Sequence, residues 1–186
     1  SLHDYMKVGI VHFTAYPFAL SGEEPVADSI AEIVEDDFFD AIEVTRINDD
    51  AERRRVADIL ATSGATVGFG GQPYILKGKL NLNSPDEQER AHAIEVLKGG
   101  IDQAYELGAG KFGFLSGPKP PAAQRDQALE LLADSIVQLG RYARSKGDLA
   151  LSLETFDDST DKKAFIGTNR LACELAYEVR KAIPNF

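Results

Sequence analysis

The chain has 186 residues, of which 44% are hydrophobic and 27% are charged, and this is the composition of an ordinary globular protein. The 20 Lys and Arg residues against 30 Asp and Glu residues give a net charge of −10, which repels nucleic-acid backbones and disfavours nucleic acid as a partner. One cysteine cannot form an internal disulfide, and no apolar run reaches the roughly 20 residues of a membrane span, so we expect a cytoplasmic protein with no membrane partner.

Five short apolar segments, each followed by a helical pattern, predict a mostly parallel sheet covered by helices. The predicted strands are Lys7–Phe13, Ala41–Thr45, Thr66–Phe69, Lys111–Leu115 and Leu149–Thr155. We expect a single domain over residues 1–186, in which residues 1–5 form a tail.

The predicted helices are marked by apolar stripes at three- and four-residue spacing and by signals at their ends. The stripes contain Ile30 and Ile33, Val56 and Leu60, Ile94 and Leu97, Leu132 and Ile136, and Leu175 and Val179. The predicted N-terminal caps are Asn48 and Ser84, the latter followed by Pro85 as the first helical residue, and the last helix is predicted to start near Thr168. Gly64 and Gly108 are the predicted stops.

The longest stretch without a predicted element is Gln72–Asn83, between the third strand and its helix. A connection of this length in a compact domain is more often functional than idle, so we expect a loop that can close over a ligand.

Two folds fit five strand–helix units. One is an open doubly wound sheet, which composition alone favours because it is complete with five strands. The other is part of a (β/α)8 TIM barrel, since four units take about 142 residues and eight would take roughly 280, a normal length for that barrel.

The fifth strand carries the clearest candidate for chemistry. Its side chains alternate between a leucine face (Leu149, Leu151, Leu153) and a face of Ala150, Ser152 and Glu154. Small residues followed by an acid fit the inside of a barrel, with the carboxylate at the C-terminal mouth where barrel enzymes place catalytic groups. Such a carboxylate can bind a divalent metal or remove a proton from a carbon next to a carbonyl. A solvated strand-end acid is the alternative.

Other polar residues also fall at predicted strand ends. Glu43 lies among small neighbours on strand two, where a structural ion pair explains it equally well. Gln72 follows a nearly bare face of strand three, which a bulky group could approach. His12 ends strand one, as a structural residue or a ligand. Ser116 and Gly117 form a turn whose backbone amides could bind an anion.

Several segments together resemble the xylose isomerase-like TIM barrels, the superfamily of sugar (phosphate) isomerases and epimerases that includes endonuclease IV. Phe39–Val44 resembles the family's "(F/Y)-D-x-I-E" strand two, and Leu151–Glu154 its "L-x-L-E" strand five. Asn83–Asp86 resembles the third βα unit, and Ala104–Gly117 the region around strand four. The resemblance covers nearly the whole chain in order. It implies a (β/α)8 barrel of which this chain holds the first five βα units.

The resemblance implies a metal-dependent sugar isomerase or epimerase that removes a proton next to a carbonyl and stabilises the enediolate with Mn²⁺, Mg²⁺, Co²⁺ or Zn²⁺. Glu154 matches the family's strand-five metal ligand and would also be the base, with the other ligands expected beyond Phe186. The sugar would contact His12, Glu43, Gln72, Ser116 and Gly117. The scarcity of basic residues at these positions disfavours a phosphorylated substrate.

Three other interpretations remain open. A dehydratase or lyase could use the same barrel and metal. An incomplete barrel could bind a sugar or a partner without catalysis. A complete open sheet of five strands could be an interaction module. Because an incomplete barrel exposes two sheet edges, we expect it to form a homo-oligomer.

Overall fold

The computed structural model of the chain describes residues 2–184 and residue 186. The described residues form two compact units. The first contains the residues up to Gly70 together with Gly100–Phe112. The second contains Gly71–Gly99 and the residues from Gly113 onward.

Five strands form one sheet, and their order in the sheet is their order along the chain. They are β1 (Gly9–Val11), β2 (Ala41–Val44), β3 (Thr66–Gly70), β4 (Lys111–Phe114) and β5 (Ala150–Leu153). In the first unit β2 pairs in parallel with β1 and with β3, so that Glu43 lies opposite Val11 on one side and Gly68 on the other. The predicted parallel pairing of these strands is confirmed.

Seven α-helices connect and follow the strands in the described part of the chain. They are α1 (His12–Ala15), α2 (Ala27–Val34), α3 (Asp50–Ser63), α4 (Gln72–Gly78), α5 (Glu87–Glu106), α6 (Arg125–Arg144) and α7 (Asn169–Arg180). Short 3₁₀ segments occur at Leu2–Asp4, Pro17–Ser21 and Ala122–Gln124. Among the described residues, no helix is both long enough and apolar enough to cross a membrane.

The core of the first unit follows the predicted alternation. Ile42 and Val44 are buried on one face of β2, whereas Glu43 on the other face is half-buried. Phe69 of β3 stacks on Phe112 of β4, with ring centroids 5.4 Å apart. The predicted stripes of α2 and α3 supply further buried side chains, namely Ile30, Ile33, Val56 and Leu60.

In the second unit the core lies along the inner face of α6, where Leu132, Ile136 and Leu139 are fully buried. Gly140 on this face allows Ile183 to pack closely, because a β-carbon at Gly140 would lie 2.2 Å from Ile183 Cδ1. Ser135 on the same helix holds the Leu82 carbonyl oxygen at 2.7 Å. The segment after α4 is therefore fixed to α6.

Two predicted boundaries are wrong. The first strand is β1, three residues long, and not Lys7–Phe13, because His12 and Phe13 begin the short helix α1. The predicted loop Gln72–Asn83 begins with the helix α4. Its first four residues are buried, as are Leu80, Leu82 and Asn83, so this segment is packed into the unit. A seven-residue helix that begins Gln-Pro is too short to show an apolar stripe.

Two predicted caps lie one and two residues before the observed ones, and the predicted stops are confirmed. Asp49, and not Asn48, caps α3 by accepting a hydrogen bond from the Glu52 N–H. The helix α5 begins at Glu87, where the Asp86 carboxylate accepts from the Gln88 N–H, so Ser84 does not cap the helix and Pro85 precedes it. The last helix starts where predicted, since Thr168 caps α7, which begins at Asn169. Gly64 and Gly108 follow α3 and α5 with positive φ angles of 76° and 71°.

Candidate functional site

The second unit brings two predicted site residues, Gln72 and Glu154, into direct contact. Glu154 follows the last residue of β5 and is half-buried, and its N–H donates to the Phe114 carbonyl. Gln72 is the first residue of α4 and is 9% exposed. The Gln72 Nε2 group donates to Glu154 Oε1 at 2.9 Å. A residue distant in sequence thus holds one oxygen of the Glu154 carboxylate.

Gly113 of β4 makes this contact possible. A β-carbon at this position would lie 3.1 Å from Gln72 Nε2 and 3.2 Å from Glu154 Oε1, which is tighter than most real contacts. The missing side chain therefore leaves room for the amide and the carboxylate to meet. Gly113 was not among the predicted site residues, and a glycine inside a strand is the signal that could have found it.

Both side chains retain unused hydrogen-bonding capacity. Gln72 Oε1 is buried and has no hydrogen-bond donor in the described part of the chain. Within the same residues, no donor reaches Glu154 Oε2. Because a carboxylate only accepts hydrogen bonds, Nε2 must face Glu154, and the orientation of the amide follows from the chemistry. A hydroxyl-bearing ligand could satisfy both acceptors.

The predicted residues Ser116 and Gly117 follow β4 in the same unit and are buried. Ser116 Oγ accepts a hydrogen bond from the Ile166 N–H at 3.0 Å. The Gly117 carbonyl accepts from the Phe165 N–H. The Ser116 hydroxyl therefore holds the chain between β5 and α7 as a hydrogen-bond acceptor.

Two asparagines missed by the sequence analysis surround Gly117. A β-carbon on Gly117 would lie 2.1 Å from Asn81 Oδ1 and 2.6 Å from Asn83 Oδ1, so the turn requires glycine. Asn83 Nδ2 donates to the Pro118 carbonyl at 3.0 Å. In the described part of the chain, the buried Asn83 Oδ1 has no donor. The alternation of Asn81 and Asn83 about the buried Leu82 is the only local signal that could have revealed them.

His12 and Glu43 lie in the first unit. His12 is 1% exposed, its Nε2 is 2.9 Å from Ser29 Oγ, and its ring stacks on Tyr16. Because Ser29 Oγ donates to the Val26 carbonyl, it accepts from a protonated His12 Nε2. Burial lowers the pKa of His12 from 6.5 to about 4, so the ring is neutral at pH 7.

The Glu43 side chain lies beside Gly68 of the neighbouring strand β3. Its Oε2 lies 3.7 Å from the position that a Gly68 β-carbon would take, an ordinary van der Waals distance. The half-buried carboxylate thus occupies space that a larger residue at Gly68 would share.

The residues described here do not form a complete metal site. No group of three or more His, Cys, Asp or Glu side chains within residues 2–184 and 186 is close enough to hold a metal ion together. Glu154 offers one carboxylate and Gln72 one unpartnered amide oxygen, both of which are acceptable oxygen ligands. A divalent ion would need further ligands besides these two residues.

The sequence matches a family model described as xylose isomerase-like TIM barrel over residues 31–181. No curated protein matches the sequence. Among solved structures, D-psicose 3-epimerase from Clostridium cellulolyticum H10, solved with D-tagatose, is 17% identical with a TM-score of 0.72, and the match covers 94% of this chain and 60% of that chain.

Two further structures match at similar levels. An L-ribulose 3-epimerase is 18% identical with a TM-score of 0.71, over 93% of this chain and 57% of that chain. The IolI protein with a bound zinc atom is 15% identical with a TM-score of 0.71, over 94% of this chain and 59% of that chain. At these identities the likeness shows the fold.

The chain therefore spans about 60% of the length of these barrels and contains five of their strand–helix units. The predicted barrel architecture is confirmed, and the open doubly wound sheet that composition favoured is not the fold. On the family match over most of its length, the chain belongs to the xylose isomerase-like TIM barrel family.

Proposed function

We propose that this chain acts in the isomerisation or epimerisation of a small sugar, by removal of a proton from the carbon next to a carbonyl. The observation that carries the proposal is the Glu154 carboxylate, one oxygen of which is held by Gln72 while no donor in the described part of the chain reaches the other. Membership of the xylose isomerase-like family supports it.

Each residue of this group has a role in the proposal. Glu154 Oε2 takes the proton, because a general base must present an unoccupied oxygen to the C–H bond. Gln72 Nε2 fixes the rotation of the carboxylate, and Gln72 Oε1 accepts a hydrogen bond from a sugar hydroxyl. Gly113 keeps side-chain volume out of the space beside the pair.

Glu154 would bind the divalent metal that the resemblance implies. A divalent cation, when bound, would supply Lewis-acid stabilisation of negative charge on the sugar oxygens. Its further ligands are not among the described groups. The substrate contacts predicted for His12, Glu43, Ser116 and Gly117 belong to the proposal on the strength of the resemblance.

Exchange of sugar protons with solvent tests the proposal whatever the product of the reaction is. A panel of ketoses and ketose phosphates is incubated with the chain in D2O, with Mn²⁺, Mg²⁺, Co²⁺ or Zn²⁺. Proton NMR then measures the loss of signal from the protons on the carbons next to the carbonyl. Loss of the general base in Glu154→Gln should slow exchange by roughly 100-fold or more. Glu130→Gln, which changes an exposed acid on α6, is the matched control and should leave exchange unchanged.

One alternative is a protein that binds sugars without catalysis. In that case saturation-transfer NMR would detect sugar binding that survives Glu154→Gln, with no deuterium incorporated. This outcome would contradict the proposed catalytic role. Formation of a dehydrated product would instead identify a dehydratase on the same barrel.

A further inference from the structure

A cavity of about 200 Å³ in the second unit, which we name the lysine pocket, lies next to the predicted contacts Ser116 and Gly117. It is lined by the end of α4 and the residues after it, by Leu115–Pro118, and by the loop between β5 and α7. Its apolar walls belong to the core of the unit, since Ile75, Leu80, Leu115 and Ala164 are all buried. A phosphate or carboxylate group fits within this volume.

The charge of the pocket is opposite to that of the chain. Among the described residues, its lining includes Lys79 and Lys162 and no carboxylate, whereas the chain as a whole has a net charge of −10. Lys162 pairs with Asp161 at 2.7 Å, and Asp161 is not part of the lining. No carboxylate in the described part of the chain pairs with Lys79. A concave site with cationic walls concentrates anions.

The backbone holds both lysines at the pocket. Lys79 ends α4 in the left-handed conformation, with φ 50°, a position that usually favours glycine or asparagine. The N–H of Lys162 donates to the Asp157 carboxylate at 2.7 Å. Neither lysine is therefore placed by an unrestrained loop.

The turn after β4 adds unused donors to the pocket wall. Within the described part of the chain, the N–H groups of Ser116 and Gly117 donate to no acceptor, although both residues are buried. Buried backbone N–H groups without a partner are rare in folded proteins. An oxyanion in the pocket would provide the acceptor that these two groups lack.

We propose that the lysine pocket binds a compact oxyanion, a phosphate or a carboxylate, carried by the substrate. This inference rests on the proposed function in one respect, because it makes the substrate of that site a sugar phosphate or a sugar acid. It also revises the expectation that basic residues are scarce at the site, since Lys79 and Lys162 are brought together by folding and not by a local motif.

Calorimetric titration with inorganic phosphate tests the pocket without any turnover. At low salt, the intact chain should bind phosphate, and Lys79→Asn should weaken binding roughly tenfold because a charge-assisted hydrogen bond is lost. Lys162→Gln is an independent second variant with the same expected loss. Lys163→Asn is the matched control, since Lys163 is exposed, also has φ 50° and does not line the pocket. It should change the affinity less than about twofold.

The outcomes separate the pocket from the proposed function. Equal weakening by Lys163→Asn and Lys79→Asn, or no phosphate binding by the intact chain, would overturn the inference. Acetate bound more tightly than phosphate would support a carboxylate as the natural group. If the chain binds phosphate but exchanges no sugar proton, the anion site stands and the proposed function is refuted. If the chain epimerises only neutral ketoses and does not bind phosphate, the proposed function stands and the anion site is refuted.

Discussion

The buried amide side chains of the second unit differ from two buried polar side chains of the first in how fully they are hydrogen-bonded. In the first, His12 bonds to Ser29, and Thr45 Oγ1 donates to the Gly70 carbonyl at 2.7 Å. In the second, Gln72 and Asn83 each use their amide nitrogen, at Glu154 and at Pro118, while their buried amide oxygens have no donor in the described part of the chain. A buried acceptor without a donor lowers stability by about 1–3 kcal/mol. The second unit therefore keeps polar capacity that folding does not use, as expected of a ligand site.

The largest expected effect on stability concerns His12, whose buried imidazole is hydrogen-bonded to Ser29 within the first unit. Its pKa is lowered from 6.5 to about 4 by burial, so the unfolded chain binds more protons between these values. The stability that the buried neutral His12 ring contributes is fully present above pH 6.5. It is lost as the pH falls towards about 4, and the free energy of unfolding then decreases by up to about 3 kcal/mol. Urea unfolding across this range should show the loss in the wild type. His12→Gln should lack it, and an equal pH dependence in this variant would refute the assignment.

Substitution of one glycine in each unit by alanine compares how tightly the two units are packed around these positions. Gly117→Ala should destabilise the protein by about 2 kcal/mol, because the new methyl group would overlap both asparagine oxygens. Gly68→Ala should have less than about half of this effect, since its β-carbon would meet Glu43 at an ordinary 3.7 Å. Thermal unfolding monitored by circular dichroism measures both. Equal destabilisation would show that the Asn81–Asn83 segment is not as tightly placed as described.

Thr45→Val removes a satisfied buried hydroxyl with little change of shape. The loss of its hydrogen bond to the Gly70 carbonyl should lower the free energy of unfolding by about 1 kcal/mol. Urea unfolding provides the measurement, with Thr62→Val on the exposed side of α3 as the control. A variant as stable as the wild type would mean that this bond contributes nothing.

The smallest expected effect concerns Asp157, which holds the Lys162 loop. Hydrogen bonds from the N–H groups of Lys162, Thr160, Asp161 and Ser159 lower its pKa from 3.8 to about 2. Amide protection at these residues should therefore be present above about pH 3.8 and disappear as the pH falls through about 2. Asp157→Asn should abolish protection already at neutral pH, as measured by NMR hydrogen exchange. Asp161→Asn is the control, and equal loss of protection there would contradict the role of Asp157.

The sequence predicted the sheet because buried strands leave a strong local pattern. Ile42 with Val44 and Val67 with Phe69 alternate with small or acidic residues, and burial follows this alternation. The stops Gly64 and Gly108 were predictable because a positive φ angle favours glycine. The caps moved by one or two residues because neighbouring Asn, Asp and Ser side chains compete for the same N–H groups.

The site was only partly predictable. Glu154 and Gln72 were predicted as separate site residues, from strand-end positions and from the family resemblance, and they stay predictions. Their contact depends on Gly113, and the lysine pocket depends on Lys79 and Lys162, which belong to segments distant in sequence. No local spacing encodes such pairs, because tertiary packing brings them together. The helix α4, predicted as a loop, was also not recognisable from local spacing, because burial and not periodicity stabilises it.

The proposed role of Gln72 is to orient the Glu154 carboxylate and not to stabilise the fold, and the near-isosteric Gln72→Met tests this central claim most directly. The variant loses one hydrogen bond to a half-buried carboxylate but also removes a buried acceptor without a donor. We expect the free energy of unfolding to change by less than about 1 kcal/mol. Ketose proton exchange in D2O should fall by roughly tenfold or more, because Glu154 loses its orientation. A variant that is clearly destabilised yet exchanges protons at the wild-type rate would contradict the account.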